Sequence, residues 1–382
     1  MARIILNGSI AKYPVAGLVQ FVLAWILGLK RLGHQVYFVE KCEWENACYN
    51  MEKKEMTNDA SFGVDYLKRL FRNYDMDHIW CFKDLEGNYY GMSKNELKRI
   101  FENADLYLDL EWGSWEEGSE KVPVKAFFDG EPGWFQIKLH NLLEKGNSLL
   151  AYDYYFTDGL NIGKSGNIIP TAGIDWQKSL VPVLLMNDNS IQITPAKDAP
   201  FTTVMSWQAH KEVTYSNQVY GQKDKEFEKF MELPSMTNQS LEIAVPGPKT
   251  PVKLLKSNGW KIKKASEISF TLKDYHDYLA ASKGELCIAK NVFVATKSGW
   301  FGERAGYYMQ KGRPVISQET GFSQHIPCGE GLFAFENIDE AVNSIEAVIS
   351  NYEHHSKKAK EIVGDYFDAE KVLNKILNVI GI

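Results

Sequence analysis

The chain has 382 residues, 45% of them hydrophobic and 24% charged, with a formal net charge of −6. That is enough apolar residue for two globular domains. The whole acidic excess lies in residues 1–190, so the bulk charge carries no nucleic-acid footprint. No run of about 18 apolar residues occurs. The opening MARIILNGSI lacks the charged, apolar and small-residue zones of a secretion signal, so a cytoplasmic protein is expected. Five cysteines with no CxxC pair read as free thiols. No histidine sits at ligand spacing from a cysteine, and no metal site is expected.

The pattern opens with a strand over 3–6 and a small-residue loop over 7–14. A helix over 16–32 follows, with Leu18, Phe21, Val22, Trp25, Ile26 and Leu29 at helical spacing. Gly33 ends it and a strand over 36–39 completes a βαβ opening. No GxGxxG accompanies it, so a dinucleotide fingerprint is absent. Helices are expected over 62–73 and 93–103. Strands over 106–110, 124–128 and 154–157 run into Glu111-Trp112-Gly113, Asp129-Gly130-Glu131-Pro132 and Asp158-Gly159. Strands ending in acids and glycine mark the ligand edge of a parallel sheet.

Residues 184–201 contain two prolines and read as a linker. A second series then places strands over 202–207, 241–245, 260–263 and 285–289 among helices over 224–233, 251–258 and 272–281. The most informative stretch closes it, SGWFGERAGYYMQKGRPVISQETGFSQHIPCGEGLFAF, residues 298–335. A loop with Gly299 and Gly302 enters a helix over 303–311. Gly312, Pro314 and a strand over 315–317 follow, then a turn at Gly321 and a strand over 332–335. Helices over 338–352, 356–366 and 369–380 finish the chain. The expected architecture is α/β: a first Rossmann-like domain over 1–188, a second over 200–366, and a helix over 367–382 that crosses the junction.

A helix N-terminus after a glycine loop offers unpaired amides to a diphosphate, and nearby cations complete such a site. Gly299, Gly302 and Glu303 supply the amides; Lys290, Lys297 and Arg304 supply the charge. Lys290 follows an apolar strand at the expected ligand edge. Phe322 and Trp300 are each either a platform for a base or core residues. On the other side of the cleft stand Gly8, Gly17, Glu111 and Asp158, with Asp129 and Glu131 as the leading acid–base candidates. Acids in such places also cap helices. Asp75-Met76-Asp77 has metal-binding spacing but follows a helix. No G-x-S-x-G and no complete Walker pattern occurs.

Gly312-Arg313-Pro314-Val315, Gly321 nine residues after Gly312, and Gly329-Glu330-Gly331-Leu332 together resemble the nucleotide-sugar domain of retaining glycosyltransferases with two Rossmann domains (GT-B). The chain is also similar to bacterial glycosyltransferase-like chains with an SGWFxER segment and a GLxRLGH-type first helix. The resemblance implies two domains facing across a cleft, a C-terminal helix packed back on the first, and a donor site that takes in Gly321, Phe322 and Ser323. It implies a metal-independent transferase using a UDP- or GDP-sugar as co-substrate, with no resident cofactor and an acceptor left open. A nucleotide-sugar epimerase or an inactive sugar or nucleotide binder of the same fold is the alternative. Two positions depart from the family pattern: Tyr307 stands at the glutamate that holds the ribose, and Phe322 at the second glycine of the pair. Glu303, one helical turn before Tyr307, is the substitute candidate for the ribose contact.

Overall fold

The computed structural model describes residues 1–112, 115–148, 151–186, 195–246 and 249–382. Residues 187–194 of the linker stretch, and Gly113, lie outside the described residues.

Two sheets organise the chain. The first runs, edge to edge, Trp176–Lys178, Tyr154–Thr157, Val124–Asp129, Leu106–Asp109, Arg3–Asn7, Gln35–Lys41, Trp80–Lys83 and Tyr89–Gly91. All neighbours are parallel except the last pair. The second runs Lys261–Lys264, Leu241–Val245, Phe201–Val204, Gly284–Cys287, Val315–Gln318 and Leu332–Phe335, parallel throughout. Strands such as Arg3–Asn7 and Val315–Gln318 are buried without alternation because helices cover both faces. In each sheet the order reverses beside its first strand. The switch points lie between Arg3–Asn7 and Leu106–Asp109, and between Phe201–Val204 and Gly284–Cys287. Doubly wound sheets bind ligands outside the carboxyl ends of the strands at such points.

The periodicity of the first helix is explained by what it buries. Ala16–Arg31 packs on the first sheet and also against the final helix, Ala369–Ile380. Val372, Leu373, Ile376, Leu377 and Ile380 join the core of the first half; burying such a side chain is worth about 1.5–3 kcal/mol. The approach is close enough that a Cβ on Gly28 would lie 2.5 Å from Leu373 Cδ1. Asp368 starts the final helix by accepting from the amides of Glu370 and Lys371 at 2.9 and 3.2 Å. The expected return of the last helix onto the first half is therefore what the structure has.

Elements absent from the pattern reading are the short ones and one helix. The short ones include Trp80–Lys83, Tyr89–Gly91 and Trp176–Lys178 in the first sheet, the hairpins Cys48–Asn50/Glu55–Thr57 and Val213–Tyr215/Gln218–Tyr220, and the helical turns Glu116–Ser119 and Asn291–Ala295. The helix is Trp134–Glu144, entered at Gly133. The helix expected over 224–233 breaks into Lys223–Phe227 and two 3-10 turns, the second holding Pro234. Among the described residues no helix is long and apolar enough to cross a membrane.

Candidate active site in the seam between the sheets

Asp129 ends its strand in the first half. Its side chain is 3% exposed. Oδ2 accepts from Gln136 Nε2 at 2.7 Å and from Thr157 Oγ1 at 2.9 Å; Oδ1 accepts from the amide of Glu131 at 2.9 Å. Gln136 in turn accepts from the amide of Gly133 at 2.6 Å. Asp129 thus fixes the turn that carries Glu131 and the start of Trp134–Glu144. Burial raises its pKa to about 6, against the pull of Gln136, the Glu131 amide and Thr157.

Glu131 reaches across to the second half. Lys290 Nζ donates to both of its oxygens at 2.5 Å, and His210 Nε2 lies 3.5 Å from Oε1. His210 is stacked on Trp134, ring centroids 4.3 Å apart. Burial pushes the Glu131 carboxyl up, but Lys290 and His210 outweigh it and hold the pKa near 2. The Glu131 side chain is still 33% exposed, so the pair is reachable.

Lys290 follows Gly284–Cys287, a switch-point strand of the second sheet. Two other cations gather there. Lys223 is buried, donates to the carbonyl of Ile288, and has a pKa lowered to about 8 by burial, with Arg304 and Lys290 adding to the fall. Arg304 donates from Nε to Glu285 at 2.6 Å and contacts Cys287 Sγ at 3.5 Å. Glu285 is fully buried, so Arg304 is an internal counter-ion as well as a cation of the site.

Acids crowd the same seam. Asp158 is buried, and its Oδ1 has no partner among the described residues. Burial drives its pKa well up, and the charges of Asp129, Glu131 and Glu303 add to the rise. Glu303 opens the helix Glu303–Gln310; burial raises its pKa too, with Arg304 opposing.

The glycine loop has a different neighbour from a phosphate. The amide of Asn161, from the first half, donates to the carbonyl of Ser298 at 3.0 Å. Asn161 Nδ2 donates to the carbonyls of Lys297 and Gly321 at 3.0 and 3.4 Å. A Cβ on Gly299 would lie 2.9 Å from the Asn161 nitrogen, and one on Gly321 2.4 Å from Asn161 Nδ2. Both glycines also have positive φ. His325 and Lys164 complete the contact around Asn161 Oδ1, at 2.8 and 3.0 Å.

The other expected positions scatter. Phe322 is fully buried on Phe301, centroids 4.9 Å apart, which decides for core packing over base stacking. Trp300 leans on Phe293 at 4.7 Å and against Gly302. Ser323 and Lys297 are exposed. Gly8 packs against Val22 and Phe38. Gly17 faces Tyr275 of the second half, beside the Ala16 amide that donates to the Ser269 carbonyl at 3.1 Å. Glu111 pairs with the buried Lys12 at 3.0 Å. Asp77 of the D-x-D is 3.5 Å from Arg72. Among the described residues no group of three or more His, Cys, Asp and Glu side chains is placed to hold a metal ion.

No protein-family model and no curated protein matches the chain. Solved structures do, end to end. An α-glucosyltransferase in complex with UDP and a 13-mer DNA containing an HMU base is 10% identical, with a TM-score of 0.58 and all of both chains covered. Anabaena HepE in complex with UDP-glucose is 12% identical, with a TM-score of 0.58 and the same coverage. Sucrose-phosphate synthase from Thermosynechococcus elongatus is 13% identical, with a TM-score of 0.54, covering all of this chain and 98% of that one.

The chain has the GT-B fold. Within that fold the sequence reading named Lys290, Glu131 and Asp158 and missed Lys223, His210 and Asn161. Lys223 starts a five-residue helix and reads in sequence as an ordinary surface lysine. His210 and Asn161 gain their place only from partners far along the chain.

Proposed function

We propose that the protein is a glycosyltransferase moving a sugar from a nucleoside-diphosphate sugar, a UDP-sugar first, to an acceptor. The observation that carries this is the Lys290–Glu131 pair, a cation from one switch-point strand held by a carboxylate from the opposite sheet. The GT-B neighbours described with UDP or UDP-glucose support the choice of donor.

A diphosphate carries more negative charge than a carboxylate, so it competes with Glu131 for Lys290. Lys223 and Lys290 bind the diphosphate and stabilise the charge that grows on it as the sugar leaves. Lys297 adds an exposed charge at the rim. Glu303 takes the ribose hydroxyls in place of the residue now Tyr307. Glu131, released from Lys290, loses the charge that keeps its pKa low and becomes the group that handles the acceptor proton. Asp129 holds Glu131 in position. Glu111 and Asp158 line the acceptor side. The Asn161 contact with Gly299 and Gly321 must part for the donor to enter, and its closing excludes water. No metal has a role in these steps.

Calorimetric titration with UDP, GDP and ADP, followed by UDP release from UDP-sugars over a panel of acceptors, tests the reading. Binding of one diphosphate with acceptor-dependent release is expected. Absence of binding at millimolar nucleotide would overturn it. Isomerised donor would point to the epimerase alternative, and binding without any turnover to the inactive binder.

A further inference from the structure

Cys42 and Cys48 lie outside the seam and have no part in the proposed transfer. Their sulfurs are 3.3 Å apart, within hydrogen-bond contact. Both are buried, while Glu43 to Asn46 between them are exposed. The backbone fixes both ends. Cys42 donates its amide to the carbonyl of Lys83 at 2.9 Å, and Tyr49, next to Cys48, donates to the carbonyl of Lys12 at 2.7 Å. A disulfide needs its sulfurs about 2 Å apart, so the two stand little more than 1 Å beyond bonding distance. The loop between them holds Trp44 with its ring 5.4 Å from Lys12 Nζ, the ammonium paired with Glu111.

We propose that Cys42 and Cys48 form a reversible oxidation site, joined as a disulfide by hydrogen peroxide. The Cys42 thiolate attacks one peroxide oxygen, the O–O bond breaks, and the sulfur becomes a sulfenic acid with hydroxide leaving as water. The Cys48 sulfur then attacks Cys42, the S–O bond breaks, and a second water leaves with the Cys48 proton. Two thiols are oxidised and one peroxide is reduced to two waters. Cys42 is the first nucleophile: its hydrogen-bond contact with Cys48 lowers its pKa against burial, while that of Cys48 is raised. The closed ring fixes the Trp44 loop over Lys12. None of this depends on the transferase reading.

The test uses the folded wild-type protein and graded hydrogen peroxide, then alkylation and trypsin. Cys42 and Cys48 fall in one tryptic peptide, 42–53. The expected product is that peptide lighter by two hydrogens and unalkylated, formed before buried Cys81 and Cys287 react and reversed by dithiothreitol. Full alkylation of 42–53 when exposed Cys328 is already oxidised would overturn the proposal. In Cys48→Ser, Cys42 is expected to hold a sulfenic acid that dimedone traps; an unlabelled Cys42 beside a labelled Cys48 in Cys42→Ser would overturn the order of attack. Cleavage after Glu43 and Glu45 by an acidic-residue protease is expected to slow on oxidation and recover on reduction. Unchanged cleavage would overturn the fixed loop.

Discussion

Two strands of the first sheet, Leu106–Asp109 and Val124–Asp129, end in carboxylates satisfied within their own half, whereas the second half presents two cations, one of which has its partner in the other half. Asp109 accepts from Asn7, the Glu111 amide and Tyr152. Asp129 accepts from Gln136, Thr157 and the Glu131 amide. Facing them, Arg304 is bound internally to Glu285, while Lys290 reaches across to Glu131. Asp109 and Asp129 are therefore held by neutral donors, and the facing edge offers in Lys290 a charge that a ligand can win. A group whose partner comes from another domain costs less to release than one buried with its partner.

The comparison breaks most severely at Arg304. Arg304→Ala leaves Glu285 as a buried unpaired charge and is expected to cost about 3–5 kcal/mol of stability, read as a lowered denaturation midpoint. Lys290→Ala should lower that midpoint less than Arg304→Ala does and weaken nucleotide binding roughly 100-fold; unchanged affinity by calorimetry would remove Lys290 from the donor site. Glu131→Gln should lower turnover by about 100-fold while donor affinity holds or tightens, since it frees Lys290. An equal loss in both would make Glu131 a strut.

The two acids also differ in pH response. Asp129 has a folded pKa near 6, above the unfolded value of about 3.9. The folded state therefore holds the extra proton, and stability falls as pH rises from about 4 to 6; Asp129→Asn should flatten that slope. Glu131, near 2 when folded, works the other way. Its contribution is present above the unfolded value of about 4.3 and lost as pH falls toward 2. The smallest effect is expected at Lys297. Its exposed charge is worth up to about 1 kcal/mol, so Lys297→Ala should weaken nucleotide binding by less than about fivefold.

Much of the frame was legible in the sequence because a strand buried on both faces must be an apolar run. The segments at 3–6, 106–110, 154–157 and 315–317 say so directly, and Gly33 and Ser93 mark helix ends by chemistry that is local. Trp80–Lys83 and Tyr89–Gly91 were not legible, since they form an antiparallel pair at the end of the sheet, outside the strand–helix alternation that located the others. The site divides the same way. Lys290 and Glu131 could be named because each follows a readable strand. Asn161 could not, because its partners at Lys297 and Gly321 are 136 and 160 residues away. Glycines at 299 and 321 resemble a phosphate loop, and in this chain the crossing Asn161 also requires them. The thiol contact of Cys42 and Cys48 has no motif spacing, and only the fold brings the sulfurs together.

The connection out of the first half and the return into it run side by side. Val183 donates to the carbonyl of Phe367 at 2.7 Å, and Ala369 donates back to Val183 at 3.0 Å. The halves are thus joined here by two adjacent passages of the chain, apart from the contacts made by Asn161, Glu131 and Ala16.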